Sequence, residues 1–258
     1  MAKNVMVFDT ETTGVGEKPF CYNVGYVILD LETKERLVEK DFVVEQIWHN
    51  IPLFCSAYYA DKRPIYVSAM RGKRATMDKW GYIMREMVND IRKYNVEAVY
   101  AYNSPFDDRV FTFNNDWFHT NNPLDNVPVI DIRGMVSAFI SNTEEYKTFC
   151  EEFQLLTESG NYSATAENVY RFITGDTDFI EAHTALADSQ IEAEILLECI
   201  KLGADPMKNY PVSRFIPRNV EKPLKIVVDG ETIFDGGYIK KWNKEGYWRF
   251  TTAEGMEE

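Results

Sequence analysis

The stretch Val5-Met6-Val7-Phe8-Asp9-Thr10-Glu11-Thr12-Thr13-Gly14, VMVFDTETTG, poses the first question of this chain. Its apolar start reads as a buried strand. Its end places two acids one residue apart. Side chains of a strand alternate between faces, so Asp9 and Glu11 point the same way if the strand runs that far. Two carboxylates on one face repel each other unless something cationic lies between them. The plain alternative is a strand that ends in a solvated acidic turn.

Reading outward, residues 3–9 form the strand, and 23–30 (NVGYVILD) and 36–44 (RLVEKDFVV) are two more β-rich runs with a polar turn between them. Three strands with short links predict an antiparallel meander. Residues 46–75 mix Trp48, Phe54, Tyr58, Tyr59 and Tyr66 with Lys62, Arg63, Arg71, Lys73 and Arg74, and have no clear period. Residues 76–94 are expected to be helical, since Trp80, Ile83, Met84, Met87, Val88 and Ile91 recur at three- and four-residue steps. A strand at 97–102, a helix from about Pro105, a strand at 127–132 and a largely helical stretch to about 174 follow. The last helix spans 185–202 and stops at Gly203. This order predicts an α/β fold with a mixed sheet and helices packed on it. The chain then changes character. Prolines at 206, 211, 217 and 223 punctuate it, and an Asp229-Gly230 turn predicts a small hairpin or meander. We therefore expect one domain over 1–204 and a β-rich extension over 205–258 whose role the sequence leaves open.

Composition fits one sizeable core: 258 residues, 45% hydrophobic and 14% aromatic. No apolar run approaches the length of a membrane helix, and no signal peptide precedes the first strand. Cys21, Cys55, Cys150 and Cys199 are scattered and form no CxxC pair, which predicts reduced thiols and a cytoplasmic location. Three histidines, His49, His119 and His183, are too few for a His-rich metal site. The net charge of -13 argues against broad electrostatic wrapping of nucleic acid. It leaves room for carboxylates that hold divalent cations, whose charge reverses the local field. The charge is uneven, at net -14 up to residue 205 and net +1 beyond.

Two further stretches complete the opening one. Asn103-Ser104-Pro105-Phe106-Asp107 puts an acid in the first turn of a helix that follows a strand. His183-Thr184-Ala185-Leu186-Ala187-Asp188 puts a histidine before a helix that opens with an acid. Alone, each reads as a helix-start acid favoured by the dipole, with His183 at the surface. In order along one chain, D-x-E, N-x-x-F-D and H-x-A-x-x-D resemble the DEDDh 3′→5′ exonucleases. That is the family of the proofreading subunit of bacterial replicative polymerase, of oligoribonuclease and of ribonuclease T. The resemblance covers about residues 3–203, and the stretch 145–190 is most similar to phage-borne members, which would place the chain in the host cytoplasm. It implies a ribonuclease H-like mixed five-stranded sheet whose first three strands are antiparallel.

The chemistry explains the residue types. Phosphodiester hydrolysis at neutral pH needs positive charge on both sides of the phosphorus, and two divalent ions about 3.5–4 Å apart supply it. Hard cations such as Mg²⁺ or Mn²⁺ bind carboxylate oxygens. The resemblance implies two such ions, with Asp9 bridging them, Glu11 and Asp188 on the ion that activates water, and Asp107 on the second. It implies His183 as general base, since an imidazole accepts a proton near neutral pH. A branch with Tyr in that role would carry it four residues before the last Asp, where this chain has Thr184. The residues matching the family's contacts to the 3′-terminal nucleotide are Thr12 and Thr13, with Asn103 and Phe106 nearby. Asp108 adjoins Asp107 but points about 100° away on a helix. Asp131 reads as a helix cap before Arg133-Gly134-Met135.

The expected activity is hydrolysis from the 3′ end of nucleic acid, preferably single-stranded DNA, releasing nucleoside 5′-monophosphates. Expected partners are a single-stranded DNA or RNA 3′ end and a polymerase or other replication protein, with no membrane. The aromatic and basic mixture at 46–75 suits stacking on bases and pairing with phosphates, the alternative being aromatics that fill core and charges that are solvated. Trp242, Tyr247 and Trp248 near Lys240, Lys241, Lys244 and Arg249 invite the same reading. The alternatives are an exoribonuclease, a catalytically idle module that binds nucleic acid or a polymerase, and an endonuclease of the ribonuclease H type.

Overall fold

Ten consecutive residues, Cys21–Asp30, are all buried, so this strand has a covered face on each side. It is β2, and the rest of the sheet is arranged around it. The computed structural model describes residues 3–16, 18–157 and 161–212, and the backbone of 222–228, 231–241 and 248–252. By internal contacts it divides into two compact units, one of residues 1–142 and 164–212, the other of 143–163 and 213–258.

In the first unit, β1 (Asn4–Thr12) and β3 (Arg36–Val44) flank β2, both antiparallel to it. The short helices α1 (Glu45–Trp48), α2 (Ile51–Phe54) and α3 (Arg63–Arg71) follow, with a 3₁₀ turn over Ala60–Lys62. Then come β4 (Thr76–Asp78), α4 (Trp80–Lys93), β5 (Val96–Ala101), α5 (Ser104–Phe118), β6 (Val129–Asp131) and α6 (Ile132–Phe139). The sheet order is β4-β3-β2-β1-β5-β6, with β4 parallel to β3 and β5 parallel to both β1 and β6. The first three strands form the expected antiparallel meander. The sheet has six strands because the short β4 adds itself at the outer edge. In the second unit lies α7 (Glu144–Glu152); in the first, α8 (Ala166–Thr174) and α9 (Ala185–Lys201) complete the helices.

Alternation along β1 sorts the core into two sides. Met6 and Phe8 join Tyr26 and Ile28 of β2 in a cluster with Trp80, Met84 and Met87 of α4 and Phe111 of α5. The Phe8 and Phe111 rings meet edge to face at 5.2 Å. Val5 and Val7 pair across the strands with Leu29 and Val27, and α9 packs against β1 and β2. Each large apolar side chain buried this way contributes about 1.5–3 kcal/mol.

The seat of α9 depends on two β2 residues. A Cβ on Gly25 would lie 2.1 Å from the Leu186 nitrogen, so the first turn of α9 rests directly on the strand backbone. Asn23, fully buried, accepts the Ala185 N–H at 2.8 Å and donates to Asp41 at 2.6 Å and to the Phe42 carbonyl at 2.9 Å. Thr184 precedes α9 without capping it by its side chain, and Asn23 supplies that cap from another element. Ser189 adds a bond to the Gly25 carbonyl at 3.0 Å.

Some sequence expectations change. Residues 76–78 are a strand, and the helix starts only at Trp80, because Lys79 is extended (ψ 145°) and Asp78 accepts its N–H. The stretch to 174 is several helices separated by caps: Thr143 caps α7 and Thr165 caps α8 through their side chains. Residues 46–75 are short helices, started by Asn50 with Pro52 and by Arg63 with Pro64.

In the second unit, a bridge joins Leu156 to Tyr162, and Tyr162 donates to Glu151 at 2.5 Å. The strands β7 (Lys222–Val228), β8 (Glu231–Lys241) and β9 (Trp248–Thr252) form an antiparallel sheet in that order. The predicted turn at Asp229-Gly230 and the residues Trp242, Lys244 and Tyr247 lie outside the described residues, as do the side chains of Lys240, Lys241, Trp248 and Arg249. Among the described residues no helix is long and apolar enough to cross a membrane.

Candidate active site

The strand β1 continues through Thr12, so Asp9 and Glu11 do share a face. Their partners across the antiparallel ladder are Gly25 and Asn23, the two residues that seat α9. Directly paired residues share a face, which puts both acids beneath the N-terminus of that helix. Asp188 lies in the first turn of α9. One carboxylate oxygen from each of Asp9, Glu11 and Asp188 lies within 4.8 Å of the others.

Asp107 arrives from the other side of the sheet. It sits in the first turn of α5, which begins where β5 ends, and it accepts a 2.6 Å hydrogen bond from Thr10. Its neighbour Asp108 is exposed, as the helical offset predicts. Asp131 acts as the predicted cap: it accepts the Arg133 N–H of α6 at 2.9 Å, and also the Asn103 N–H at 2.9 Å. Asn103 takes the left-handed conformation (φ 68°) that turns the chain from β5 into α5. One buried acid thus sets the entry of two helices, one of which carries Asp107.

The electrostatics are unfavourable without a cation. Burial, then the charge of Glu181, pushes Asp9 up to about 7. Burial and Asp9 push Glu11 up to about 9. Burial, then Asp9, Glu181 and Glu11, pushes Asp188 up to about 10. Burial and Asp9 hold Asp107 well above the usual carboxylate range. The Asp188 Oδ1 oxygen is buried without a hydrogen-bond partner. An orphan of that kind requires an explanation, and a divalent cation among the three clustered oxygens is a direct one. The donor set, all carboxylate oxygen, fits Mg²⁺ or Mn²⁺.

His183 stands beside this group. Its ring stacks on Tyr59 at 4.4 Å with 12° between planes, and its Nδ1 lies 3.5 Å from Glu181 Oε2. Burial and the Lys62 ammonium lower its pKa, while Glu167 opposes them. The imidazole is thereby kept neutral near pH 7, with a free nitrogen lone pair.

Of the other predicted residues, Thr12 and Thr13 lie at the end of β1, where Thr12 donates to the Gly14 carbonyl and the Thr13 N–H goes to Phe20. Phe106 packs partly against the core with the Arg109 guanidinium 5.4 Å over its ring, and Asn103 is exposed. Within 46–75, Trp48, Phe54 and Tyr66 are core, and Arg63 stacks on Trp48 at 4.1 Å. Tyr58, Arg71, Lys73 and Arg74 are exposed.

Two acids at the site escaped the sequence reading. Glu192, buried and one turn beyond Asp188, accepts the Tyr102 N–H at 3.2 Å and is held well above the carboxylate range by burial, Asp9, Asp107 and Asp188. Its i+4 spacing from Asp188 was the available signal. Glu181, two residues before His183, is pushed up to about 7 by burial and Glu167.

The sequence matches no protein-family model, and no curated protein matches it. Solved structures do. The nuclease domain of 3′hExo, described as a DEDDh family member and bound to rAMP, is similar with a TM-score of 0.51 at 10% identity, over 80% of this chain and 96% of that one. A 3′-exonuclease described in 3′-end specific recognition of a histone mRNA stem-loop gives 0.53 at 10% identity, over 91% and 90%. A full-length 3′-exonuclease gives 0.50 at 10% identity, over 90% and 66%. At such identity the likeness concerns the fold alone: a mixed α/β sheet flanked by helices.

Proposed function

We propose that this chain is a metal-dependent 3′→5′ exonuclease that hydrolyses phosphodiester bonds from the 3′ end of nucleic acid, preferably single-stranded DNA, and releases nucleoside 5′-monophosphates. The observation that carries this reading is the convergence of Asp9, Glu11 and Asp188 oxygens within 4.8 Å, beside Asp107 and without a paired cation among the described residues. In this reading Asp9, Glu11, Asp107 and Asp188 would hold two Mg²⁺ or Mn²⁺ ions. Such ions supply positive charge against the phosphate and its leaving oxygen.

The remaining work falls to the chain's own groups. His183 takes the proton of the attacking water. Thr12, Thr13, Asn103 and Phe106 meet the terminal nucleotide at the mouth of the site. Tyr58, Lys62, Arg71, Lys73 and Arg74 give the strand an aromatic and basic approach on an otherwise acidic protein. Asp108 remains in solvent and takes no part. The free cysteines fit a reducing cytoplasm, that of the host if the chain is phage-encoded. A polymerase or other replication protein is a candidate partner for the tail.

A second reading, an exoribonuclease, is favoured by the similar 3′-exonuclease described with an mRNA stem-loop. Single-stranded DNA, duplex DNA and RNA, each labelled at the 3′ or 5′ end, decide between them with Mg²⁺ and then EDTA. Stepwise release of mononucleotides from the 3′ end, lost in EDTA, supports the proposal, and the faster polymer names the substrate. Internal cuts point to an endonuclease. No turnover of any polymer leaves a binding module.

A further inference from the structure

The loop that carries His183 is tied down more firmly than its exposure suggests. Arg171 of α8 donates through Nε to the Phe179 carbonyl at 2.7 Å and pairs with Glu167 at 2.8 Å. Glu167 in turn accepts the Glu181 N–H at 2.9 Å. The Lys62 ammonium donates to the Ala182 carbonyl and lies 4.6 Å from the Tyr59 ring centroid. Tyr59 then covers one face of the imidazole. His183 itself holds the left-handed conformation at φ 51°, uncommon for a residue with a side chain. All these ties end on one result: Glu181 Oε2 sits 3.5 Å from Nδ1, with the Glu181 side chain only 14% exposed.

A neutral imidazole carries one proton, and the group facing one nitrogen decides where it sits. In its ionised form, which Glu181 takes above about 7, a carboxylate facing Nδ1 draws the proton there and leaves the Nε2 lone pair to accept another. When Nε2 takes a proton, the carboxylate balances the imidazolium charge. Stacking on Tyr59 fixes the plane in which this happens.

We propose that Glu181 is a positioning residue for His183: it selects the Nδ1–H tautomer and orients the ring so that Nε2 serves as the base. This rests on the reading of His183 as general base. The competing role for Glu181 is that of an additional metal ligand, since its charge bears on Asp9, Glu11 and Asp188.

The test has two arms on the full chain. Ring ¹⁵N and ¹³C spectra of His183 report the tautomer without any substrate. The wild type is expected as Nδ1–H, and Glu181→Ala is expected to revert to the Nε2–H form that dominates for a free imidazole. A wild-type Nε2–H ring, or a tautomer unchanged in Glu181→Ala, overturns the proposal. The second arm measures trimming with Mn²⁺. Glu181→Ala is expected to lose about 10- to 100-fold in kcat, as loss of a carboxylate behind a functional histidine does elsewhere, with KM and the Mn²⁺ half-saturation unchanged. Glu181→Gln, which keeps an acceptor of the same shape, is expected to recover part of that loss. A raised Mn²⁺ half-saturation with little change in kcat assigns Glu181 to the metal and overturns it as well. If the wild type cuts no polymer, the exonuclease reading fails, and the tautomer alone decides the role of Glu181.

Discussion

Among the described residues, Asp90 and the acids around Asp9 are buried and treated in opposite ways. Asp90 of α4 sits against β2 and β3 with the Lys40 ammonium 2.5 Å away and the Tyr26 hydroxyl donating at 2.7 Å. Lys40 also pairs with Glu86 at 2.6 Å. Asp9, Glu11, Asp107, Asp188 and Glu192 gather at the other group with no ion pair among the described residues. The nearest cation by its influence, Lys62, is committed to a backbone carbonyl. A fold that needs a buried acid for structure supplies its counter-charge from the chain. Where it supplies none, the acids raise one another's pKa, and their charge is relieved by protons or by a cation from outside the chain.

The largest effect that could break this contrast comes from exchanging the fates of the two groups. Asp9→Ala is expected to lower trimming by about a thousand-fold or more, given the several kcal/mol that metal-held charge contributes. The same variant is expected to raise the thermal midpoint in EDTA, because it removes repulsion. A midpoint that falls would mean Asp9 belongs with Asp90. Asp90→Ala is expected to do the reverse: it destabilises by about 1–3 kcal/mol, since the buried Tyr26 hydroxyl loses its acceptor and Lys40 one of its two partners, and it leaves kcat in place. Chemical denaturation beside the trimming assay reads both.

Metal should matter to one group alone. Saturating Mn²⁺ at about 100 times its Kd stabilises by about 2.7 kcal/mol. For a unit of this size that raises the midpoint by roughly 5–10 °C. The rise should vanish in Asp9→Ala and survive in Asp90→Ala, which a scanning calorimeter can follow.

The pH dependence sharpens the same point. In the folded, metal-free protein Asp9 holds its proton up to about 7, Glu11 to about 9 and Asp188 to about 10. In the unfolded chain they release it near about 4. Between those values the folded state binds more protons, so metal-free stability falls as pH rises from 5 toward 9. Thermal midpoints in EDTA that climb over that window would contradict the raised pKa values. The smallest expected effect is that of Thr10→Val, which removes the 2.6 Å hydrogen bond to Asp107. A loss near 1 kcal/mol, or about fivefold in kcat, is expected from a single hydrogen bond.

What the sequence revealed follows from where each acid sits. Strand alternation put Asp9 and Glu11 on one face, whereas Asp107 and Asp188 read alone as ordinary helix-start acids and drew notice only through the order of the three motifs along the chain. The pattern of sheet and helices was legible too, since β2 is a β-rich run and α4 repeats its apolar residues at three- and four-residue steps. Glu192 and Glu181 were not, because a glutamate in or before a helix is solvated by default and only packing buries it. The helices at 46–75 were not legible because four- to nine-residue pieces are held by tertiary contacts such as Arg63 on Trp48. Nor was β4, whose three residues pair only at an edge.

Gly25 carries a consequence for any attempt to retune this cleft. Main chain rests on main chain there, so no rotamer stands between the helix bearing Asp188 and β2, the strand paired at Gly25 with Asp9 of β1. The spacing of Asp188 from the acids of β1 is thus set through backbones in contact, like a joint with no washer. Repacking side chains elsewhere in the interior would alter how tightly the protein holds together and leave that spacing as it is. To move Asp188 away from those acids the joint itself would have to open, and Gly25→Ala would force it by driving a methyl against the backbone of Ala185 and Leu186.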